Sequence, residues 1–265
     1  MTPTLLLRRA LLALTPLLLC VSLPAVAQNA LDNVLKTKVL KVAVQTDSAP
    51  YGFVGTDLQP IGLDIDMAGL IAKQLGVTLQ LVPVVSASRI PALQTHKADL
   101  VIATLGKNAE REKVIDFAAA YSPFFQAVFG PKSASVKSFA DLAGKSVGVT
   151  RGAMEDQELS KVAPASMDAR RYEDNNATIA AYTSGQVQFV ALGASVAANM
   201  MARNPQLASE YKLLIKESPN FIGVAKGEDA LRARVNQIVA DARKSGALDA
   251  LSNKWLGRPL GDLPQ

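Results

Sequence analysis

Cysteine and histidine are almost absent: Cys20 and His96 are the single examples in 265 residues. No disulfide can form within the chain, so a folded domain must be held by its core. His96, between Thr95 and Lys97, has no metal-ligand cluster around it and reads as a turn residue. No serine sits in a G-x-S-x-G frame, which leaves a hydrolase triad without its scaffold. Walker A loops and dinucleotide-binding glycine fingerprints are missing too, so neither a metal nor a cofactor is expected. Charge of one sign is also scarce. The 28 basic and 23 acidic residues give +5, too little and too scattered for a nucleic-acid partner. Only one long apolar run occurs, near the N terminus.

That run follows Arg8-Arg9, starts at Ala10, is interrupted by Thr15, Pro16, Ser22 and Pro24, and ends at Ala25-Val26-Ala27. A basic start, an apolar middle and a small-x-small end describe a cleavable export signal over residues 1–27 rather than a permanent membrane span. Cys20 would leave with it. Leu17-Leu18-Leu19 lacks the small residue that lipid-anchored signals place just ahead of their cysteine.

The full chain is ordinary globular chemistry, 49% hydrophobic and 19% charged, and its length is enough for one large domain or two small ones. The pattern alternates strand and helix. Strands are expected at Val39–Val44, Val77–Val82 and Asp99–Ala103, with helices at Gly62–Leu75 and Arg89–Gln94. A second series follows: strands at Ser146–Val149, Ala169–Tyr172 and Val187–Leu192, helices at Met154–Lys161 and Asn176–Ser184. Phe221–Ala225 reads as a further strand before helices near Leu231–Lys244 and Leu248–Trp255. Alternation of this kind implies right-handed βαβ units and sheets covered on both faces. Phe129-Gly130-Pro131-Lys132-Ser133 is the expected crossing between the two series.

In open α/β sheets ligands bind beyond the carboxyl ends of strands. Three arginines fall there at or just before a first helical turn: Arg89, Arg111 and Arg151. Arg111 is the most unusual. Asn108 is a good N-cap, which makes residue 111 the third helical position, where a capping box wants Glu or Gln and the helix field disfavours a cation. Either it joins a surface ion network with Glu110 and Glu112, or it meets an anion; a guanidinium is a two-pronged donor matched to a carboxylate. Arg89 reads as a ligand group or as a snorkelling side chain, and Arg151 as a solvated one. Asp64 and Asp66 are placed at a helix start to complement its dipole. Trp255 and the group Tyr121-Ser122-Pro123-Phe124-Phe125 read as core or hinge packing.

Several stretches together resemble the amino-acid-type solute-binding proteins of bacterial ABC importers, the extracellular solute-binding proteins of family 3. They are Gly62-Leu63-Asp64-Ile65-Asp66, Arg89-Ile90-Pro91-Ala92-Leu93-Gln94 with Lys97-Ala98-Asp99-Leu100, and Glu110-Arg111-Glu112-Lys113-Val114-Ile115-Asp116-Phe117 with Tyr121. Asp141-Leu142-Ala143-Gly144-Lys145, Ser184-Gly185-Gln186-Val187 and Lys254-Trp255-Leu256-Gly257 complete the set. The resemblance implies a type II periplasmic-binding-protein-like α/β fold: two lobes joined by two hinge strands around a ligand cleft. Lobe 1 would be residues 28–127 and 223–265, and lobe 2 residues 128–222. It further implies a periplasmic monomer that passes a small carboxylate-bearing ligand, an amino acid or a dicarboxylate, to a transmembrane permease.

In that family the arginine matching Arg111 clamps the ligand's α-carboxylate, with Thr104, Leu105 and Gly106 beside it and Gly152, Ala153 and Met154 completing the grip from the other lobe. Arg89 resembles an arginine used on side-chain carboxylates, and Asp47 and Tyr51 complete the expected site. Four departures stand out. Gly193 replaces a frequent ammonium-binding aspartate, Gly106 a hydroxyl, Ser48 a stacking aromatic, and Gly152-Ala153 a glycine-threonine at the second-lobe helix start. Either Asp47 supplies the replacement carboxylate or the ligand has no ammonium, and a dicarboxylate or an acidic amino acid would fit the two arginines. Two other functions share this fold: a dehydratase-like enzyme, for which Glu155, Asp156, Glu173 and Asp174 are the nearby acids, and a sensor that presents its ligand to a receptor.

Overall fold

The computed structural model describes residues 29–264; the expected export signal, Cys20 included, lies outside the described residues. Asn29 caps α1 (Ala30–Thr37), which leads into β1 (Val39–Val44). A small antiparallel sheet of β2 (Asp47–Ser48), β3 (Gly52–Val54) and β4 (Pro60–Ile61) precedes α2 (Leu63–Leu75), which Gly76 terminates in the left-handed conformation. Then come β5 (Thr78–Pro83), α3 (Arg89–Gln94), β6 (Leu100–Val101), the single-turn α4 (Ala109–Glu112) and β7 (Ile115–Ser122). The second series is β8 (Phe125–Pro131), β9 (Ser146–Thr150), α5 (Met154–Val162), β10 (Asp168–Tyr172), α6 (Asn175–Thr183), β11 (Phe189–Gly193), α7 (Ala194–Arg203) and β12 (Ser209–Glu217). β13 (Asn220–Ala225), α8 (Asp229–Lys244) and α9 (Ala247–Leu256) follow.

Two five-stranded sheets result, ordered β5-β1-β6-β13-β7 and β10-β9-β11-β8-β12. In each, parallel strands from βαβ units meet antiparallel strands that carry the chain across: β13 pairs antiparallel with β6 and β7, and β8 with β11 and β12. Strands covered on both faces need not alternate, and every residue of β11 and β13 is buried. In β1, Leu40, Val42 and Val44 face the core under α2 and α8, while Ala43 faces the core under α3. The last helices therefore belong with the first sheet. Asp66 fastens them there, accepting from Trp255 Nε1 and from Lys254 Nζ, each at 2.7 Å.

The expected crossing at Phe129–Ser133 is corrected: Phe125–Pro131 is a strand inside the second sheet. Gly130 and Pro131 mimic loop punctuation but lie at the end of that strand. The chain changes sheets between Ser122 and Phe125 and again between Glu217 and Asn220, whereas the reading of the sequence set the changes at 127/128 and 222/223. Each passage contains a proline, Pro123 or Pro219, which cannot donate to a ladder and so suits a break in one.

Candidate functional site

Arg111 answers the conflict with its own helix by leaving it. Asn108 caps α4, its side chain accepting from the Arg111 backbone N–H at 3.0 Å. The guanidinium turns back towards the second lobe, where Nη1 donates to the Gly106 carbonyl (2.8 Å) and Nη2 to the Gly152 carbonyl (3.1 Å). The flanking glutamates take no part. Glu110 pairs with Lys161 at 3.2 Å and Glu112 with Lys107 at 2.9 Å. Arg111 is only 2% exposed, and its Nε has no partner among the described residues. Burial, reinforced by the charge of Arg89, holds the guanidinium down at about 9. A buried cation with an idle donor is unfavourable until an anion meets it.

Arg89 is buried as well, but most of its donors are engaged. Nε donates to the Ser86 carbonyl (3.0 Å), Nη1 to the carbonyls of Ala103 (2.9 Å) and Thr104 (3.0 Å), and Nη2 to that of Gly152 (3.3 Å). It ties the ends of three elements together. Thr104 sits in the left-handed region at φ 44°, strained for a β-branched residue. Hydrogen bonds on three sides fix it: its N–H donates to Asp64 (3.0 Å), its hydroxyl to Gln45 (2.7 Å), and its carbonyl accepts from Arg89. Asp64, fully buried, also accepts from the Tyr121 hydroxyl at 2.7 Å, and burial raises its pKa to about 6. It lies in the first turn of α2, where it complements the dipole as expected, and its burial makes it an anchor as well.

From the second lobe, Gly152 adopts φ 72°, and a Cβ there would lie 2.8 Å from the Cα of Ala87. Only glycine lets the β9–α5 turn come this close to the first lobe. Ala153, Met154 and Glu155 follow into the cleft. The cavity between the lobes is lined by Ser48, Arg89, Thr104, Met154, Glu155 and Asn175, among others, and admits a water's centre over only about 10 Å³. Links across the lobes flank it. Asp47 accepts from the Asn175 N–H (2.7 Å) and Asn175 Nδ2 donates to Ser48 (2.7 Å); on the other side Asn108 Nδ2 donates to Gln157 (3.1 Å) and Glu158 (2.9 Å). Asn108 thus serves as cap and as latch. Asn108→Ala is expected to cost about 1 kcal/mol from the cap alone, measured by chemical denaturation, and to weaken ligand binding through the lost latch.

The structure gathers Arg89, Thr104, Ala153 and Met154 around the cavity, with Gly106, Arg111 and Gly152 joined by hydrogen bonds beside it. Asp47 sits at the rim, its carboxyl pushed up by burial. Two expected residues lie elsewhere. Tyr51 packs in the first-lobe core, edge-on to Phe124 at 5.1 Å, and its hydroxyl donates to the Pro123 carbonyl at the crossing (3.0 Å). The Leu105 side chain is buried in the core under α3. Arg151 is exposed and 3.8 Å from Glu173. Sequence reasoning passed over Gln45, Ser86 and Asn175 as site residues. A polar residue directly after an apolar strand, as Gln45 follows Val44, was the available signal.

A family described as bacterial extracellular solute-binding proteins, family 3, matches residues 40–258. The chain is 26% identical over 232 residues to the L-cystine-binding protein TcyJ of Escherichia coli, 87% of each chain. It is 28% identical over 221 residues to the ABC transporter glutamine-binding protein GlnH of Bacillus subtilis, 80% of this chain and 79% of that one. Among solved structures it resembles the ancestral amino acid-binding protein AncCDT-1, a precursor of cyclohexadienyl dehydratase: 30% identity, TM-score 0.76, covering 85% of this chain and 98% of that one. The likeness extends over both sheets.

Proposed function

Because this chain belongs to the bacterial extracellular solute-binding proteins of family 3, we propose that it captures one amino acid between its lobes in the periplasm and delivers it to the permease of an ABC importer. The observation that carries this reading is the Arg111 guanidinium, buried beside the cleft with its Nε unpaired. A ligand carboxylate supplies the missing acceptor. Charged hydrogen bonds of this kind contribute about 1.5–3 kcal/mol each. The lobes part to admit the ligand and close on it, a hinge motion about the two passages that contain Pro123 and Pro219. Asn108 and Asn175 engage only when the lobes meet.

Glu155 in the cleft favours an enzyme of this fold instead. An amino acid recovered unchanged after long incubation with the protein decides for capture. The primary test is a thermal-shift screen with the protein L-amino acids, cystine, succinate and glutarate. A compound that binds only the folded state raises its stability by mass action, about 2.7 kcal/mol at a hundred times Kd. Failure of every compound to raise the melting temperature removes the proposal.

A further inference from the structure

We propose that Glu155 sorts the ligands of this cleft, receiving the ammonium group of a zwitterionic amino acid while Arg111 holds its carboxylate; the inference rests on the capture function above. Glu155 is the second residue of α5; it lines the cavity and is 6% exposed. Among the described residues its own backbone N–H is the only donor to it, and no ion pair within 4.0 Å joins it to any cation. Burial pushes its carboxyl up, and the charges of Arg89 and Arg111, neither of which touches it, only partly oppose that. A buried carboxylate with so few donors needs a partner. An ammonium offers three N–H donors and a positive charge.

The other acids near the cleft are already matched. Asp64 accepts from Tyr121 and Thr104, and Asp47 from the Asn175 N–H. β11 adds no side chain at Gly193, which the Phe124 ring covers. Arg89, whose guanidinium has five N–H donors, directs four of them at the carbonyls of Ser86, Ala103, Thr104 and Gly152. It has no two-pronged face left for a second carboxylate. A dicarboxylate would therefore bring its second anion against Glu155 with no cation free to offset it. The expectation from sequence that two arginines suit a dicarboxylate gives way to one open arginine and one open acid, the pattern of a zwitterion.

The test is titration calorimetry on the wild type, Glu155→Gln and Arg111→Ala. The probes are the amino acid with the largest shift in the screen, the same molecule lacking its amino group, succinate and glutarate. Gln keeps the size of Glu, and an unliganded melting temperature equal to or above that of the wild type shows that the fold is kept. The wild type is expected to bind the amino acid at least tenfold more tightly than the other three. Glu155→Gln is expected to weaken the amino acid at least tenfold while the dicarboxylates bind as well as before or better. Equal affinity of the wild type for succinate or glutarate and for the amino acid, or an amino-acid affinity unmoved by Glu155→Gln, overturns the role of Glu155. If Arg111→Ala abolishes binding in either of those cases, carboxylate capture still stands. A wild type that binds none of these probes overturns both.

Discussion

Arg111→Ala abolishes the largest ligand-induced thermal shift. Among the described residues, the substitution removes the only guanidinium with a fully buried, unpaired Nε. Losing two charged hydrogen bonds to a carboxylate costs roughly 3 kcal/mol or more, over a hundredfold in Kd. Stability without ligand should respond differently. Burial, together with the charge of Arg89, holds the guanidinium at about 9, so the folded state carries a cation that it disfavours. Arg111→Met fills much of the same space without that charge, and replacing a buried ion by an apolar group of similar volume is often neutral or stabilising. Equal or higher unliganded melting temperature in Arg111→Met, together with loss of the ligand shift, separates binding from folding. A shift that survives in both variants would show that the carboxylate is held elsewhere.

The second large effect is expected at Gly193, the end of β11. A Cβ there would overlap the tip of the Phe124 ring and come within 2.6 Å of its Cε1. The ring cannot swing aside freely, because Tyr51 packs edge-on against it and is itself fixed by its bond to the Pro123 carbonyl. Gly193→Ala should therefore destabilise the protein by about 1–3 kcal/mol, the usual range for overpacking. In a chain of this size each kcal/mol lowers the melting temperature by about 2–4 °C. Gly193→Asp should cost more, since it adds a buried carboxylate without a donor. Restoring an acid at this position would thus damage the cleft rather than equip it. The steric account predicts coupling: in a Phe124→Ala background the penalty of Gly193→Ala should largely vanish. An unchanged penalty in that background would place the strain elsewhere.

Much of the architecture was open to a reading of residues in chain order. Gly76 ending α2, Asn108 capping α4 and the apolar runs of β11 and β13 act over a few neighbours, and such local preferences are written in sequence. The family resemblance rested on the same kind of evidence, short stretches such as Leu63-Asp64-Ile65-Asp66 and Lys254-Trp255-Leu256-Gly257. It did not show that Asp66 of the first binds Trp255 and Lys254 of the second. Gly130-Pro131 misled for a related reason. Their local chemistry suits a loop, but sheet pairing with β11 and β12 overrode it.

The site itself divides along that line. The sequence alone determined that residue 111 is an arginine set against its own helix, because capping and the helix field operate within one turn. Whether that arginine faces solvent glutamates or the cleft depended on Gly152, 41 positions away, whose carbonyl it meets. Arg89 looked like a ligand group until its donors were found on backbone carbonyls, and Glu155 gained significance only because, among the described residues, nothing but its own N–H donates to it. The pairings of Asp64 with Thr104 and of Asp47 with Asn175 span 40 and 128 positions. The first is fixed by packing within the first lobe and the second by how the two lobes dock. Tertiary structure therefore decided which buried charges are satisfied from within and which still await a ligand.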